Sequence, residues 1–465
     1  MQNVRESLLQ FATSDGVELE GRLLQLGRFS AIFNVFSPEN LLQTSGVLNE
    51  LKIVTNGHVL YQGRATISGL VGIAGGVTCE VVLEPLGLHV PPISTTASAS
   101  YEMFQREWLT SYKIRPEFKV VVADVEIFLS NLRQWLDDMA LSLQANHNGN
   151  AAEQERDLME QISPRLVASF NSVHERFEDI ASKIDPEFRA VHQDFARRRL
   201  HPLFLCSPFG YRTYAKPLGY AGDYEMMNMI MRNTYEGNSL FARAVHYWLV
   251  NQWPAKSVRN RITHLTENIL NEVARVVRSG RSARILNLGC GPAWEVQEFF
   301  RTSGLSHEAD FTLMDFSAET LSYTGQKLAD IARNRGLRAR VEMRHASVQQ
   351  LLRSALQGKS VVENDRFDLI YCAGLFDYLS DATCKAIVNL FYSWLQPGGL
   401  ILVANMNDTK PFRYMVEFLL DWHLIYRDSR FMMTLIPNTP GASGTVIAEP
   451  TTVNLFTHVR KAAAP

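Results

Sequence analysis

The feature that most constrains this chain is the run A-R-I-L-N-L-G-C-G-P-A-W-E at 283–295. Residues 285–288 form an apolar run short enough to be a buried strand. Gly289, Cys290 and Gly291 follow as a tight turn, and 295–300 reads as the start of a helix. A strand feeding a glycine turn feeding a helix lets backbone approach a nucleotide-like ligand. Two glycines alone are weak evidence, so the weight falls on what lies downstream. The stretch 310–315 reads as the next strand and ends on Asp315. An acid there, about twenty residues beyond the turn, can bind ribose hydroxyls in doubly wound folds. A helix at 318–334, strands at 340–345 and 367–372, a helix at 382–394, a turn at 395–399 and a strand at 400–405 complete the pattern. This alternation predicts a parallel sheet covered on both faces.

A dinucleotide-dependent dehydrogenase shares a glycine turn and a downstream acid. Its fingerprint wants G-x-G-x-x-G to seat a pyrophosphate at a helix N-terminus. Here Pro292 and Trp294 fill part of the turn, and Glu295 would aim negative charge at phosphates. An acid at that place suits a cationic sulfonium ligand better.

Ahead of this half, residues 11–85 carry short alternating and β-branched runs with glycine turns at 57–58 and 75–76, which predict a small β-barrel. The Ser-, Thr- and Pro-rich stretch 91–100 reads as a linker. Phe118, Val122, Val125, Leu129, Leu132, Leu136, Met139 and Leu143 form a heptad seam, broken by polar residues at 146–150. A second seam, Leu166, Phe170, Val173, Phe177, Ile180 and Ile184, follows Ser163-Pro164, which suits a helix start. Two such helices make an antiparallel hairpin whose seams bury each other, or dimerise the chain. The run 217–230, a Gly- and Tyr-rich turn followed by methionines, suits a lid over a ligand. The expected division is a β domain at 1–95, a helical region at 96–260 and the α/β domain at 261–465.

The 465 residues allow two or three domains, and a net charge of -2 gives no basic field for nucleic acid or an anionic membrane. No apolar stretch is long enough to span a bilayer, and the five cysteines are scattered without metal-site spacing, so the expected setting is cytoplasmic, with no metal.

With N-L-G-C-G-P-A at 287–293, Asp315, F-D-L-I-Y at 367–371 and L-Q-P-G-G-L-I-L-V at 395–403, the block 281–460 resembles a class I S-adenosylmethionine-dependent methyltransferase. The resemblance implies a Rossmann-like domain and S-adenosyl-L-methionine as cofactor. It implies contacts from Asn287, Gly289, Cys290, Gly291, Glu295, Asp315, Phe316, Ala346, Ser347 and Cys372, with Tyr220 and Asp223 added from the lid. Ala293 stands where glycine is commoner, and Ala346-Ser347 where Ala-Asp is common, leaving adenine to backbone groups or Ser347. Together, P-L-G-Y-A-G-D-Y-E-M-M-N-M-I at 217–230, the segment 233–240 and D-W-H-L-I-Y-R at 421–427 resemble one bacterial family linked to 3-hydroxy fatty acid methyl esters, which serve as quorum-sensing signals. The N-terminal segment is faintly similar to a PilZ-like domain, a module that often binds cyclic di-GMP. Its R-x-x-x-R arm and [D/N]-x-S-x-x-G turn are both broken here, the nearest matches being Arg22, Arg28 and 66–68, with Val71 in the glycine's place.

The acceptor so implied is a small acyl molecule, free or carrier-bound; where it is a carboxylate it is already ionised and needs no strong base. It needs positioning groups. His423, Tyr224 and Tyr426 are the candidates at the reacting centre, and Tyr220, His201, Asp377, Tyr378 and Phe418 the candidates for holding the acceptor. His423 is expected on an apolar helix over 418–427, where the bland alternative is a satisfied core histidine. Phe412, Met415, Phe418, Leu419, Leu424, Met432 and Met433 line an acyl tunnel or are plain core.

Overall fold

A computed structural model of the chain describes residues 7–13, 18–27, 29–36, 42–55, 58–73, 76–84, 105, 113–145, 150–357 and 366–463. The chain divides into two compact units, one of 1–222, 233–252 and 411–423, the other of 223–232, 253–410 and 424–465. The barrel and most of the helical region therefore share a unit, and the lid run 217–230 is divided between the two.

In the first unit, strands β1 (Ser7–Ala12), β2 (Glu18–Leu26), β3 (Ser30–Val35), β4 (Val47–Thr55), β5 (His58–Ile73) and β6 (Gly76–Leu83) close into a barrel in the order β1-β2-β3-β6-β5-β4. Alternation in β2 and β3 sends Leu19, Leu23, Ala31, Phe33 and Val35 inward, onto Leu9, Leu51, Ile53 and Val81. The expected glycine turns and the 91–100 linker lie mostly outside the described residues. Helices α1 (Pro116–Ala145) and α2 (Ala151–Ser182) pack as the predicted hairpin, Phe118 and Phe177 ring to ring at 5.4 Å. The second helix starts earlier than expected. Asn150 caps it by accepting from the Ala152 N–H, and Pro164 lies inside it, at the cost of one helical hydrogen bond. Helix α3 (Arg189–Phe204) carries His201, and α4 (Pro208–Ala215) follows it.

The second unit begins with α5 (Tyr224–Arg232); α6 (Leu240–Val250) returns to the first. Then come α7 (Trp253–Val277), β7 (Ala283–Leu288), α8 (Trp294–Thr302), β8 (Ala309–Asp315), α9 (Ala318–Arg335), β9 (Arg340–His345), α10 (Val348–Leu356), β10 (Phe367–Ala373), α11 (Asp381–Trp394) and β11 (Leu395–Met406). After β11 the chain gives α12 (Arg413–Leu420) to the first unit and α13 (Ser429–Met433), β12 (Ala442–Ala448) and β13 (Asn454–Lys461) to the second. The sheet order is β12-β13-β11-β10-β7-β8-β9. Helices cover both faces, Val273, Phe299 and Leu321 packing on one and Leu351, Ile387 and Phe391 on the other.

The sheet is not wholly parallel as expected. β13 runs antiparallel between β11 and β12, Leu402 opposite His458. Nor is 395–399 a free turn: it is the start of β11, where a bulge shifts the register between Phe367–Leu395 and Leu369–Leu400.

Candidate active site

Register assembles the site at the C-terminal ends of the parallel strands. β7 beside β10 sets Asn287 next to Tyr371, and β8 beside β9 sets Asp315 next to His345. The turn after β7 is held by the end of β8, since the N–H groups of Gly289 and Cys290 both donate to Met314 O, at 2.8 and 3.0 Å. Gly291 has a φ of 51°, and a Cβ built on it meets nothing within 4 Å. The turn thus leaves open space beside its backbone, as close approach of a ligand requires. Ala293, with φ 49°, sits in the same left-handed region, which explains why glycine is commoner at that place.

Asp315 is buried at the end of β8. One carboxylate oxygen accepts from the Gly291 N–H at 3.0 Å and the other from the Ser317 N–H at 2.9 Å. Each oxygen keeps a lone pair for a hydroxyl. Glu295 is buried in the first turn of α8, and its Oε1 accepts from Asn287 Nδ2 at 3.1 Å and from the Tyr371 hydroxyl at 2.9 Å. Burial pushes this carboxyl upward, against bonds that favour its charge. Asn287 Oδ1 is buried without a partner among the described residues.

The 3₁₀ turn Phe376–Tyr378 follows β10 and carries Asp377, which is buried. Its Oδ1 accepts from the Met406 N–H at 2.6 Å, and burial pushes its pKa up to about 6 against the nearby Arg261 and Arg427 cations. Arg427 fixes this turn from the strap at 424–428. Its guanidinium donates to Phe376 O, Leu379 O, Asn405 Oδ1 and Asp381 Oδ1.

Helix α5, the second half of the lid run, docks on this unit. Asn228 Oδ1 accepts from Trp294 Nε1 at 2.8 Å, Tyr224 stacks on Tyr323 with centroids 4.6 Å apart, and the Tyr224 hydroxyl donates to Glu319 at 2.9 Å. Asp223 is a helix cap here, its Oδ1 accepting from the N–H groups of Glu225 and Met226, and its side chain points along the helix it starts.

Several expected residues have other duties. Ser347 closes a capping box with Gln350, so its hydroxyl starts α10. Ala346 donates its N–H to Asp315 O, and Phe316 O accepts from His345 Nε2. Cys372 is sealed within β10, where burial pushes its thiol pKa well up. Tyr378 and Tyr426 stand half-buried in the second unit, Tyr220 half-buried in the first.

His201, His423 and Phe418 lie in the first unit, and their contacts are structural. Helix α12 ends at Leu420, with Asp421 left-handed at φ 50°, so His423 is not on a helix. The last four carbonyls of α12 all find side-chain donors. Arg197 and Gln193 serve Glu417 O, Arg197 Nε serves Phe418 O, His201 Nε2 serves Leu419 O, and Lys216 Nζ serves Leu420 O. These carbonyls have no helical partner of their own, and cations there suit the helix dipole. Burial pushes His201 down to about 4 and Lys216 down to about 7. Burial would raise Asp421, but Arg197, which donates to it, together with His423 and Lys216, holds it well below the carboxylate range. His423 is buried, its backbone N–H and carbonyl both bonded to Ser45 Oγ and its Nε2 3.8 Å from Asp421. Phe418 is fully buried against Phe118 and Phe177, and Met432 belongs to the sheet core, so most of the expected tunnel is core.

The residue sequence reasoning missed is Arg261, on α7. It is 7 % exposed, and Gly374, with φ 99°, gives it room, since a Cβ there would come within 2.9 Å of its Nη1. No motif marks it, because its helix precedes β7.

Residues 279–451 match a protein-family profile described as a methyltransferase domain. This part of the chain is a methyltransferase domain. Its cofactor is S-adenosylmethionine, and the residues fit that ligand: an open turn at Gly291, Asp315 for ribose, and buried acids for a cation. A search of curated proteins finds no match to the chain. Among solved structures, a possible exported protein from Bordetella parapertussis is 14% identical, covering 65% of this chain and 97% of its own, with a TM-score of 0.45. The N-methyltransferase NodS of Bradyrhizobium japonicum WM9, in complex with S-adenosyl-L-homocysteine, is 14% identical over 50% of this chain and 97% of its own, at 0.31. Magnesium protoporphyrin IX methyltransferase from Synechocystis PCC 6803 is 10% identical over 50% and 93%, at 0.34. These scores add no weight to the methyltransferase domain assignment, which rests on the profile and the site. Among the described residues no helix is long and apolar enough to cross a membrane, and no group of three or more His, Cys, Asp or Glu is placed to hold a metal.

Proposed function

We propose that this methyltransferase makes the methyl ester of a 3-hydroxy fatty acid, acting on its free carboxylate. The observation that carries the methyl-transfer half is the pair of buried acids, Glu295 in the first turn of the helix that follows the glycine turn and Asp377 in the turn that follows β10. When bound, S-adenosylmethionine supplies an electrophilic methyl group on a sulfonium. A carboxylate oxygen forms the new O–CH3 bond as the S–CH3 bond breaks and its electron pair stays on sulfur, so no proton moves. The chain's task is to align and to exclude water. Asp315 and the Gly291 backbone orient the nucleoside, and α5 closes the side next to Trp294.

The ester reading is supported by the 217–230 and 421–427 motifs and by α5, which brings four methionines, Met226, Met227, Met229 and Met231, to the unit that holds the turn. It also agrees with the commitment of His201 to a helix end, since an ionised acceptor needs no base. The first test is incubation with labelled S-adenosylmethionine and 3-hydroxy acids of graded chain length, free and carrier-bound. Absence of a methyl ester at every length would sink the proposal.

A second reading, transfer to a hydroxyl or amine, is favoured by Asp377, whose pKa of about 6 suits a general base. The pH profile separates the two. A carboxylate acceptor gives a rate flat from pH 6 to 8, whereas a base-dependent acceptor gives a rate that falls below pH 6. For the barrel we propose a structural or docking role, alongside a regulatory alternative in which it senses a nucleotide. Arg64 donates to Ala215 O and the Val47 N–H to Gly219 O, tying the barrel to its own unit's helical region. Arg22 is exposed on β2, and Arg28 lies outside the described residues. Calorimetric binding of cyclic di-GMP, lost on Arg22→Ala, would replace that role with nucleotide sensing. Cytoplasmic location and homodimerisation through α1 and α2 stay proposals of the same standing, the second open to sedimentation.

A further inference from the structure

Besides its apolar contacts, α7 meets β13 and the turn before it through a row of polar pairs. Asn454 Nδ2 donates to Ser257 Oγ at 2.9 Å, Asn260 Nδ2 to Glu449 Oε2 at 2.7 Å, and the Arg460 fork to Glu272 at 2.7 and 2.8 Å. In the middle of the row His264 and His458 meet Nε2 to Nε2, 3.0 Å apart. Both are half-buried, so solvent protons reach them.

The network fixes where the protons of this pair sit. Asn268 Nδ2 lies 2.7 Å from His264 O and 3.3 Å from His264 Nε2, so the amide nitrogen is the donor to both. His264 Nε2 is therefore an acceptor, with its own proton on Nδ1, and His458 Nε2 donates to it. Two donors converge on one imidazole lone pair. A proton added to that nitrogen opposes both of them. His458 can answer only by moving its proton to Nδ1, and a second added proton leaves two cations 3.0 Å apart, with Arg460 close by.

We propose that His264 and His458 form a proton-operated latch, which holds α7 on β13 while the pair is neutral and releases it when the pair is charged. The charged groups that face it are Glu267 and Glu272 from α7 and Arg460 from β13. On the neighbouring strands Leu402 and Thr445 stand opposite His458, and neither carries a charge. The rest of the row offers no such switch. Glu272 is ion-paired with Arg460 and Arg275, and burial would raise Glu449, but Thr451 and Asn260 hold it below its ordinary value. Burial pushes both imidazoles down, His458 to about 4. The latch is therefore whole above pH 6.5 and is lost as pH falls towards 4. Helix α7 also carries Arg261, one turn before His264. Its guanidinium packs against Gly374 after β10, and among the described residues its one hydrogen bond goes to the Met227 thioether at 3.9 Å. Release of α7 thus withdraws Arg261 from the end of β10, a consequence that rests on the cofactor reading given above where it touches ligand affinity.

The experiment compares the wild-type protein with a His264→Gln, His458→Gln double variant, whose amides can bond each other and do not titrate. Amide hydrogen exchange, corrected for intrinsic rate, is read in α7 and β13 at pH 7.5 and pH 5, with β7 and β8 as internal reference. The wild type is expected to lose protection at least tenfold in α7 and β13 at pH 5, and the variant less than twofold. Calorimetric affinity for S-adenosylhomocysteine is expected to fall at least threefold further in the wild type than in the variant between the same pH values. Asp377 titrates in both proteins, so the comparison isolates the pair. Imidazole nitrogen shifts of the wild type give a readout that needs no variant: protons on His264 Nδ1 and His458 Nε2 at pH 7.5, and one coupled titration below. Two independent titrations near pH 6.5 overturn the latch. So does an equal loss of protection or affinity in both proteins, or no loss in the wild type. Exchange and shifts as expected, with no S-adenosylhomocysteine bound by the wild type at either pH, uphold the latch and overturn the cofactor reading instead.

Discussion

Asp377 shows what a buried carboxylate costs its fold. Burial raises its pKa from 3.8 to about 6, so between those values the native state binds the proton that the unfolded state releases. Stability therefore falls as pH rises through this window, by about 3 kcal/mol at the upper bound. Asp377→Asn keeps an acceptor for the Met406 N–H and removes the charge. The variant is expected to melt higher than the parent at pH 7.5, with the gap closing as pH falls towards 4, and to bind S-adenosylhomocysteine more weakly. Melting curves across pH 4 to 8 check both signs. Arg427 illustrates the contrary case. Arg427→Ala breaks a filled buried network and is expected to cost about 3–5 kcal/mol in chemical denaturation, more than Arg261→Ala, which breaks one weak bond to sulfur.

At the scale of elements, two helix ends account for most of the displaced expectations. Helix α12 is eight residues long and stops at a left-handed aspartate, and α3 together with Lys216, the residue after α4, supplies the donors its last carbonyls lack. His201 looks like a ligand-binding histidine in sequence because nothing local reveals a carbonyl some two hundred residues away. Its folded pKa of about 4 lies below the ordinary 6.5, so its contribution is present above pH 6.5 and is lost as pH falls towards 4. His201→Gln, which keeps a donor, should flatten that part of the acid-stability profile relative to the parent. Ala293 tells a similar story on a smaller scale. A non-glycine residue held at φ 49° is strained by roughly 1 kcal/mol, so Ala293→Gly is expected to leave stability unchanged or raise it slightly by differential scanning fluorimetry.

For the whole molecule, the assignment of cofactor to one unit has a measurable consequence. S-adenosylhomocysteine at a hundred times its dissociation constant should add about 2.7 kcal/mol to the unit that binds it. Hydrogen exchange should slow around Gly289–Gly291, Asp315 and the 376–378 turn, while the barrel strands β1 to β6 keep their rates. Slowing confined to the barrel would mean that the ligand binds elsewhere.

What was legible in the sequence was what neighbouring residues decide among themselves. The run 285–295, Asp315 at a strand end, the strand signals near 18–21 and 29–36 and the seam starting at Phe118 each follow from spacing along a few turns or one strand, and each appears in the structure. The strand order of the barrel, the insertion of β13 antiparallel into the sheet, the run of α2 through Pro164 and the unfilled fork of Arg261 depend on segments that meet only in the folded chain. A sequence pattern measures propensity within one element, whereas pairing, burial and hydrogen-bond satisfaction are properties of two elements at once. That is why the glycine turn could be read directly, and why the guanidinium beside Gly374 could not.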